Sequence, residues 1–233
     1  MILVEDAVRH DHSSMAGVAL PIFDHDHFET TLERCFHQEL IASASPTTLQ
    51  INIGAVCNLA CRHCHVESSP ARTAENENMT QETAQLVVDW VAKQSWLKIV
   101  DITGGSPEMN PHFPWMVEHF SAMGLQVIDR CNPTIIGWTN PKNGQVFDWV
   151  KSFLAKHRVQ VVASMPCYEA TNVNKQRGRG AFDASIQGLR ALCDVGYGSD
   201  PDLILNLVFN PVGPQLPPEQ SELQEEYRKQ LHQ

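Results

Sequence analysis

From residue 49 onward, short apolar runs alternate with stretches whose apolar residues recur at helical spacing. The runs at 49–54, 97–103, 125–130, 159–164 and 203–209 read as strands. The stretches at 80–94, 111–123, 145–157 and 182–195 read as helices, with Val87, Trp90 and Val91 on one face of the first. A charged helix is predicted over 219–231. Continuous apolar strands alternating with helices imply parallel pairing through right-handed crossovers. Ahead of this rhythm, Phe28, Leu32, Phe36 and Leu40 recur every four residues and predict one helix over 26–41, in which Cys35 packs.

A closed eight-stranded barrel takes about 250 residues. Of the 233 residues, 48 precede the rhythm and 185 remain. The expected fold is therefore α/β: a partial, open TIM-type barrel of about five or six parallel strands, five of them visible. Three segments follow: an extension over 1–48, the partial barrel over 49–211, and a Pro-rich linker with a terminal helix over 212–233.

Composition narrows the function. There are 17 Lys+Arg against 27 Asp+Glu, a net charge of −10. That balance argues against nucleic acid, whose phosphates want a basic footprint. No run approaches the ~18 apolar residues of a membrane span, and the first residues lack a basic region followed by an apolar stretch. A cytoplasmic protein is expected. Seven cysteines in a reducing compartment read as metal ligands or reactive thiols before they read as disulfides.

In parallel α/β sheets the chemistry sits at the carboxyl ends of the strands. After the first predicted strand stands Cys57-Asn-Leu-Ala-Cys61-Arg-His-Cys64-His65. Three thiols at spacings of four and three residues can converge on one centre. Thiolates are the usual ligands of iron–sulfur clusters, and three of them leave the fourth iron of a four-iron cluster open. Tetrahedral zinc with His63 or His65 as fourth ligand is the alternative that the residues leave open. The second strand ends in Gly104-Gly105, where a backbone without Cβ permits close approach.

The cysteine loop followed by Thr103-Gly104-Gly105-Ser106-Pro107-Glu108 resembles the radical S-adenosylmethionine (SAM) superfamily. The likeness narrows through Gln50-Ile-Asn-Ile-Gly54, Cys64-His65-Val66, the stretch from Asp101 to Pro111, Ile128-Asp-Arg-Cys-Asn132, Pro166-Cys-Tyr168, Gln176-Arg-Gly178 and Leu205-Asn-Leu-Val-Phe-Asn-Pro211. Together these resemble the arsenosugar biosynthesis radical SAM proteins. Members of that family continue into a C-terminal region with further cysteines, so the resemblance implies that 233 residues are short of the whole enzyme.

The resemblance implies a [4Fe-4S] cluster on Cys57, Cys61 and Cys64, whose open iron chelates SAM. It implies SAM contacts from Gly104, Gly105 and Glu108, and reductive cleavage of SAM with transfer of the adenosyl group to a dimethylated arsenic compound. A flavodoxin or ferredoxin would supply the electron. Arg130 is expected either to pair with Asp129 or to meet the SAM carboxylate. Ser164 and Asn206 are further candidates for SAM contact, and Asn210 either joins them or serves the turn before Pro211. Cys131 and Cys167, just past strand ends, are the candidate catalytic thiols, because trivalent arsenic is soft and favours thiolate; the alternative is that both are small apolar fillers. Arg177 is read as part of a flexible loop, Cys193 as a core residue, and the terminal helix as a solvated face.

Overall fold

A computed structural model describes residues 46–211, 213 and 216–231. The predicted helix over 26–41 and its Cys35 lie outside the described residues. Five strands form one parallel sheet in the order β1 (Thr48–Asn52), β2 (Ile99–Thr103), β3 (Gln126–Asp129), β4 (Gln160–Ser164) and β5 (Leu205–Val208). The sheet is open, with β1 and β5 as its two edges. The expected fold class is observed, with five strands.

Helices fill the crossovers: α1 (Gln81–Val91), α2 (Phe113–Ala122), α3 (Trp149–Lys156), then α4 (Ala170–Arg177) and α5 (Ala181–Asp194) together between β4 and β5. Helix α6 (Gln220–Leu231) follows β5. Thr80 starts α1, its hydroxyl accepting from the Thr83 amide at 3.3 Å. The buried stripe of α1 is Ala84, Val88 and Val91, a spacing of four and three that places all three on one side. Trp90, expected on that face, is exposed and meets Trp96 edge to face at 6.1 Å.

Several local expectations change. Residues 145–148 precede α3 rather than belonging to it, because Thr139 bridges to Val146 and the chain turns back through Asn143 and Gly144. Helix α4 has no counterpart in the hydrophobic pattern: its sequence ATNVNKQR carries one large apolar residue, Val173, which is fully buried. Cys193 is exposed, because the buried stripe of α5 runs through Ala181, Ser185, Leu189 and Leu192, one residue out of step with it. Helix α6 is mostly solvated, yet Tyr227 is buried and its hydroxyl donates to the Met165 carbonyl beyond β4. No helix among the described residues is long and apolar enough to cross a membrane.

The register assigns faces. Val100 pairs with Val127, and Ile102 with Asp129 and through it Val161. These residues share the face that carries the core. Gln50, Asp101, Ile128 and Gln160 are likewise neighbours and occupy the opposite face. With side chains alternating, Arg130, Val162, Ser164 and Val208 continue that second face toward the carboxyl ends of the strands.

Candidate functional site

The cysteine loop is fixed at its base before any cysteine is reached. Beyond β1 the chain bridges Gly54 to Asn78 and Val56 to Ser69. Asn78 accepts from the Ala55 and Val56 amides at 3.2 and 3.1 Å and donates to the Arg72 and Ala74 carbonyls at 3.0 and 2.9 Å. One side chain thus bridges four backbone groups on the two sides of the loop base. Asn110 ties the same region to the start of α2, donating to the Ile53 and Met79 carbonyls at 2.7 and 3.1 Å.

The Gly104–Gly105 edge lies directly against this loop. The Gly105 amide donates to the Gly54 carbonyl and the Ser106 amide to the Val56 carbonyl, each at 2.9 Å. A Cβ on Gly105 would stand 2.2 Å from the Val56 carbonyl oxygen, and one on Gly104 would stand 2.7 Å from the Gly54 oxygen. Both glycines are therefore required first by the chain's own backbone, whatever else approaches them.

Cys57, Cys61 and Cys64 converge on one cavity of about 230 Å³. All three are free thiols; Cys57 is buried and the other two are partly exposed. Gly104 and Gly105 form a second wall, and Arg130, Val162, Ser164 and Val208 a third. The parity of the sheet explains this wall: these four belong to the face opposite the core. Asn132 and Arg177 close the cavity, and His63 and His65 line it beside the cysteines. Burial pushes the Cys57 thiol up, and bonds from the Ser106 hydroxyl and the Leu59 amide draw it back. Burial and then the Arg177 charge hold His63 below the usual histidine range.

Arg130 does not pair with Asp129. Adjacent residues of a strand point to opposite faces, and Arg130 forks onto Asp101 with contacts of 2.9, 3.1 and 2.7 Å. Gln50 adds a bond of 3.0 Å to the same carboxylate. Arg177 is no loop charge: it ends α4, is 4% exposed, and its guanidinium donates to the Ser164 carbonyl and to Asn132 Oδ1. Gln176 beside it accepts the Arg62 amide of the cysteine loop at 2.9 Å and exchanges bonds with Asn210 at 3.3 and 3.2 Å. The polar pattern of α4 hid this clamp.

Four predicted site residues lie elsewhere. Glu108 is 2% exposed and faces away from the cavity; with Asp129 and Cys131 it forms a cluster whose ligand atoms lie within 4.8 Å of one another. None of the four carboxylate oxygens has a hydrogen-bond partner. Burial, and for Asp129 also the Glu108 charge, pushes both carboxyls up. Cys131 is fully buried here, and burial followed by these carboxylates raises its thiol well above the usual range. Cys167 lines a separate cavity of about 410 Å³ with Asn172, Gln176 and Asn210. Asn206 lines a groove between β5 and α6. Ser106, two residues before Glu108, is buried beside the cysteine loop, its hydroxyl 3.4 Å from Cys57 Sγ.

An open parallel sheet with a three-cysteine loop after its first strand, facing a Gly-Gly edge after its second, defines a class that builds one cavity at the carboxyl ends of its strands. The sequence pattern of the Radical SAM superfamily matches residues 51–220, and the chain belongs to that superfamily. Its members use a [4Fe-4S] cluster and SAM. The chain is similar to a probable GTP 3',8-cyclase of Saccharolobus islandicus, 26% identical over 148 residues, which are 64% of this chain and 44% of the relative. It is also similar to a GTP 3',8-cyclase of Psychromonas ingrahamii, 25% identical over 149 residues, covering 64% and 41%. The chain thus spans less than half the length of these relatives. Among solved structures, Streptococcus suis SuiB bound to S-adenosylmethionine superposes with a TM-score of 0.57 at 16% identity, covering 92% of this chain and 46% of SuiB. Native anSMEcpe with bound AdoMet gives 0.54 at 16% identity, covering 70% and 43%. At these identities the likeness is one of fold.

The donor set fits the superfamily's cluster. It is all sulfur, free of disulfides, and gathered by one loop, and three thiols leave one iron for SAM. His63 and His65 line the same cavity, but no three thiol or imidazole ligand atoms of the loop lie within 4.8 Å of one another as one zinc ion would need, and membership of the superfamily selects the cluster.

Proposed function

We propose that this chain is the cofactor-binding domain of a radical SAM enzyme, with Cys57, Cys61 and Cys64 holding a [4Fe-4S] cluster and SAM lying along the Gly104–Gly105 edge. The observation that carries the reading is the convergence of three free thiols and that edge on one cavity. When bound, the cluster supplies the electron for reductive cleavage of SAM. The protein's part is to bind, orient and exclude water. Arg177 and Ser164 face the cysteines across the cavity, and the Arg177 charge suits the SAM carboxylate. Arg130, neutralised by Asp101, shapes the wall beside them. Leu59, Val66, Val162 and Val208 supply apolar surface that keeps water from the reacting centre.

For the substrate, the reading is transfer of the adenosyl group to a dimethylated arsenic compound, with flavodoxin or ferredoxin as reductant. It is supported by the resemblance at strand ends, above all Ile128–Asn132, Pro166–Tyr168 and Leu205–Pro211. Of the two candidate thiols the reading favours Cys167 as the contact for a soft centre, because it borders a cavity next to Gln176, whereas Cys131 has no exposed surface. The test is anaerobic reconstitution followed by incubation with SAM, dithionite and dimethylated arsenic. An arsenic–adenosine adduct in the mass spectrum is expected; SAM cleavage without the adduct overturns the substrate reading, and a colourless protein holding one zinc overturns the whole.

A further inference from the structure

The three cysteines are not equivalent. Cys64 Sγ accepts one backbone amide, from Ser68 at 3.3 Å, and Cys61 Sγ accepts none among the described residues. Cys57 Sγ sits in a built polar pocket. The Leu59 amide donates to it at 3.5 Å, the Asn132 amide group approaches at 3.9 Å, and the Ser106 hydroxyl stands at 3.4 Å. The pocket is held from outside. Arg177 donates to Asn132 Oδ1, which turns the Asn132 amide nitrogen toward Asn58 Oδ1 at 2.6 Å and toward Cys57. Asn58 in turn donates to the Thr134 carbonyl and hydroxyl at 3.1 and 2.9 Å. Ser106 is 1% exposed and Asn132 4%, so water does not compete for these bonds.

As a free thiol Cys57 can donate to the Ser106 oxygen or to Asn58 Oδ1, which lies 3.9 Å away. A metal-bound thiolate has no proton and can only accept. The Ser106 hydroxyl then has two acceptors in reach, the sulfur at 3.4 Å and Asn58 Oδ1 at 3.2 Å. Asn58 Oδ1 also accepts from Asn132 at 2.6 Å and is neutral, whereas the metal-bound thiolate is anionic, and the stronger charge-assisted bond draws the Ser106 proton to the sulfur. Hydrogen bonds to cysteinyl sulfur stabilise the more negative, reduced state of a cluster and so raise its potential.

Resting on the reading above, we propose that Ser106 and Asn132 are positioning residues that donate to Cys57 and set the reduction potential of the cluster at that corner. Ser106 acts directly, and Asn132 under the control of Arg177. The hydroxyl of Ser106 is thereby more than a space-filling side chain beside the Gly-Gly edge.

The test is a spectroelectrochemical titration of the reconstituted holoenzyme and of Ser106→Ala and Ser106→Thr, each normalised to iron and sulfide content. Ser106→Ala is expected to make reduction harder by up to about tenfold in the one-electron equilibrium, or about 59 mV, while Ser106→Thr, which keeps the hydroxyl, restores the wild-type value. An unchanged potential in a fully loaded Ser106→Ala protein overturns the inference and leaves the functional reading intact. A wild-type protein that assembles no iron–sulfur cluster overturns both. Should Ser106→Ala not retain the cluster, resonance Raman spectra of the wild type decide. The Fe–S(Cys) bands must shift on exchange into D2O, and bands that stay fixed overturn the inference.

Discussion

Gly105→Ala isolates the contact between the two motifs. The new Cβ would lie 2.2 Å from the Val56 carbonyl oxygen and 2.7 Å from the Val56 carbonyl carbon, where real Cβ contacts stay beyond 3.0 Å. The backbone must therefore part by at least 0.8 Å, and no side chain can swing aside instead, because both clashing atoms are main chain. The adjacent Gly105–Gly54 and Ser106–Val56 bonds are 2.9 Å long. The same displacement would stretch them to about 3.7 Å, beyond hydrogen-bond reach. Two lost bonds at about 1 kcal/mol each and an overpacking cost of about 1–3 kcal/mol give a loss of about 3–5 kcal/mol. For a chain of this size that lowers Tm by on the order of 10 °C.

Val56 immediately precedes Cys57, so the displacement is delivered to the first thiol. Melting followed by circular dichroism, together with iron and sulfide content after anaerobic reconstitution, reads both effects. Gly105→Ala should melt early and hold less iron, even when assayed well below its own Tm. A variant that melts with the wild type and loads fully would refute the reasoning, since it would mean that the Gly-Gly edge and the cysteine loop are free to separate.

Serine in place of Cys57, Cys61 or Cys64 should abolish the broad iron–sulfur absorption near 400 nm with little change in the melt of the metal-free protein; retention of full iron by any one of them would exclude that residue as a ligand. Leu154→Ala, at a fully buried position of α3, should cost about 2–5 kcal/mol in denaturant unfolding, and a smaller loss would mean that the α3 layer collapses into the space. Asp129→Asn tests the buried acids. Burial raises the folded pKa of Asp129, so its protonation supports the fold fully below the unfolded carboxyl pKa of about 4 and the support is lost as pH rises through the folded value. The variant's Tm advantage over the wild type should therefore grow from acid to alkaline pH, and parallel Tm profiles would refute the assignment. Arg177→Gln should weaken SAM binding measured by calorimetry on the loaded enzyme; unchanged affinity would remove Arg177 from the SAM site.

The sheet was legible because its signal is collective. Five apolar runs each needed burial on a helix-covered face, and parallel order follows from the helices between them. The cysteines were legible because their spacing in one loop carries chemistry by itself. What stayed hidden depended on parity and on polar residues used internally. Arg130 and Asp129 are neighbours in sequence, so pairing them looked natural, yet the alternation of a strand sends one to Asp101 and the other into the core. The resemblance puts Glu108 at the cofactor, whereas the turn Pro107–Met109 carries it to Asp129 and Cys131 on the core side and leaves Ser106 beside the Cys57 thiol. Helix α4 and the stapling Asn78 gave no hydrophobic periodicity to detect, since their work is done by hydrogen bonds.

The electrostatics of the cavity follow from that division. Two arginines line it, and they are in opposite states. Arg130 spends its fork on Asp101, a carboxylate on the same sheet face, and its charge is cancelled before it reaches the cavity. Arg177 forms no ion pair among the described residues; its acceptors are a carbonyl and an amide oxygen, both neutral. A buried guanidinium with neutral partners keeps most of its field, and that field falls on the space between the cysteine loop and Ser164. The acids that would quench it, Glu108 and Asp129, lie on the core side of the sheet, where burial raises their pKa. In a chain with a net charge of −10, the fold has thus kept one uncompensated positive charge at the mouth of the strands. Under the proposed function, the carboxylate of the methionine moiety is the anionic group that this charge would meet.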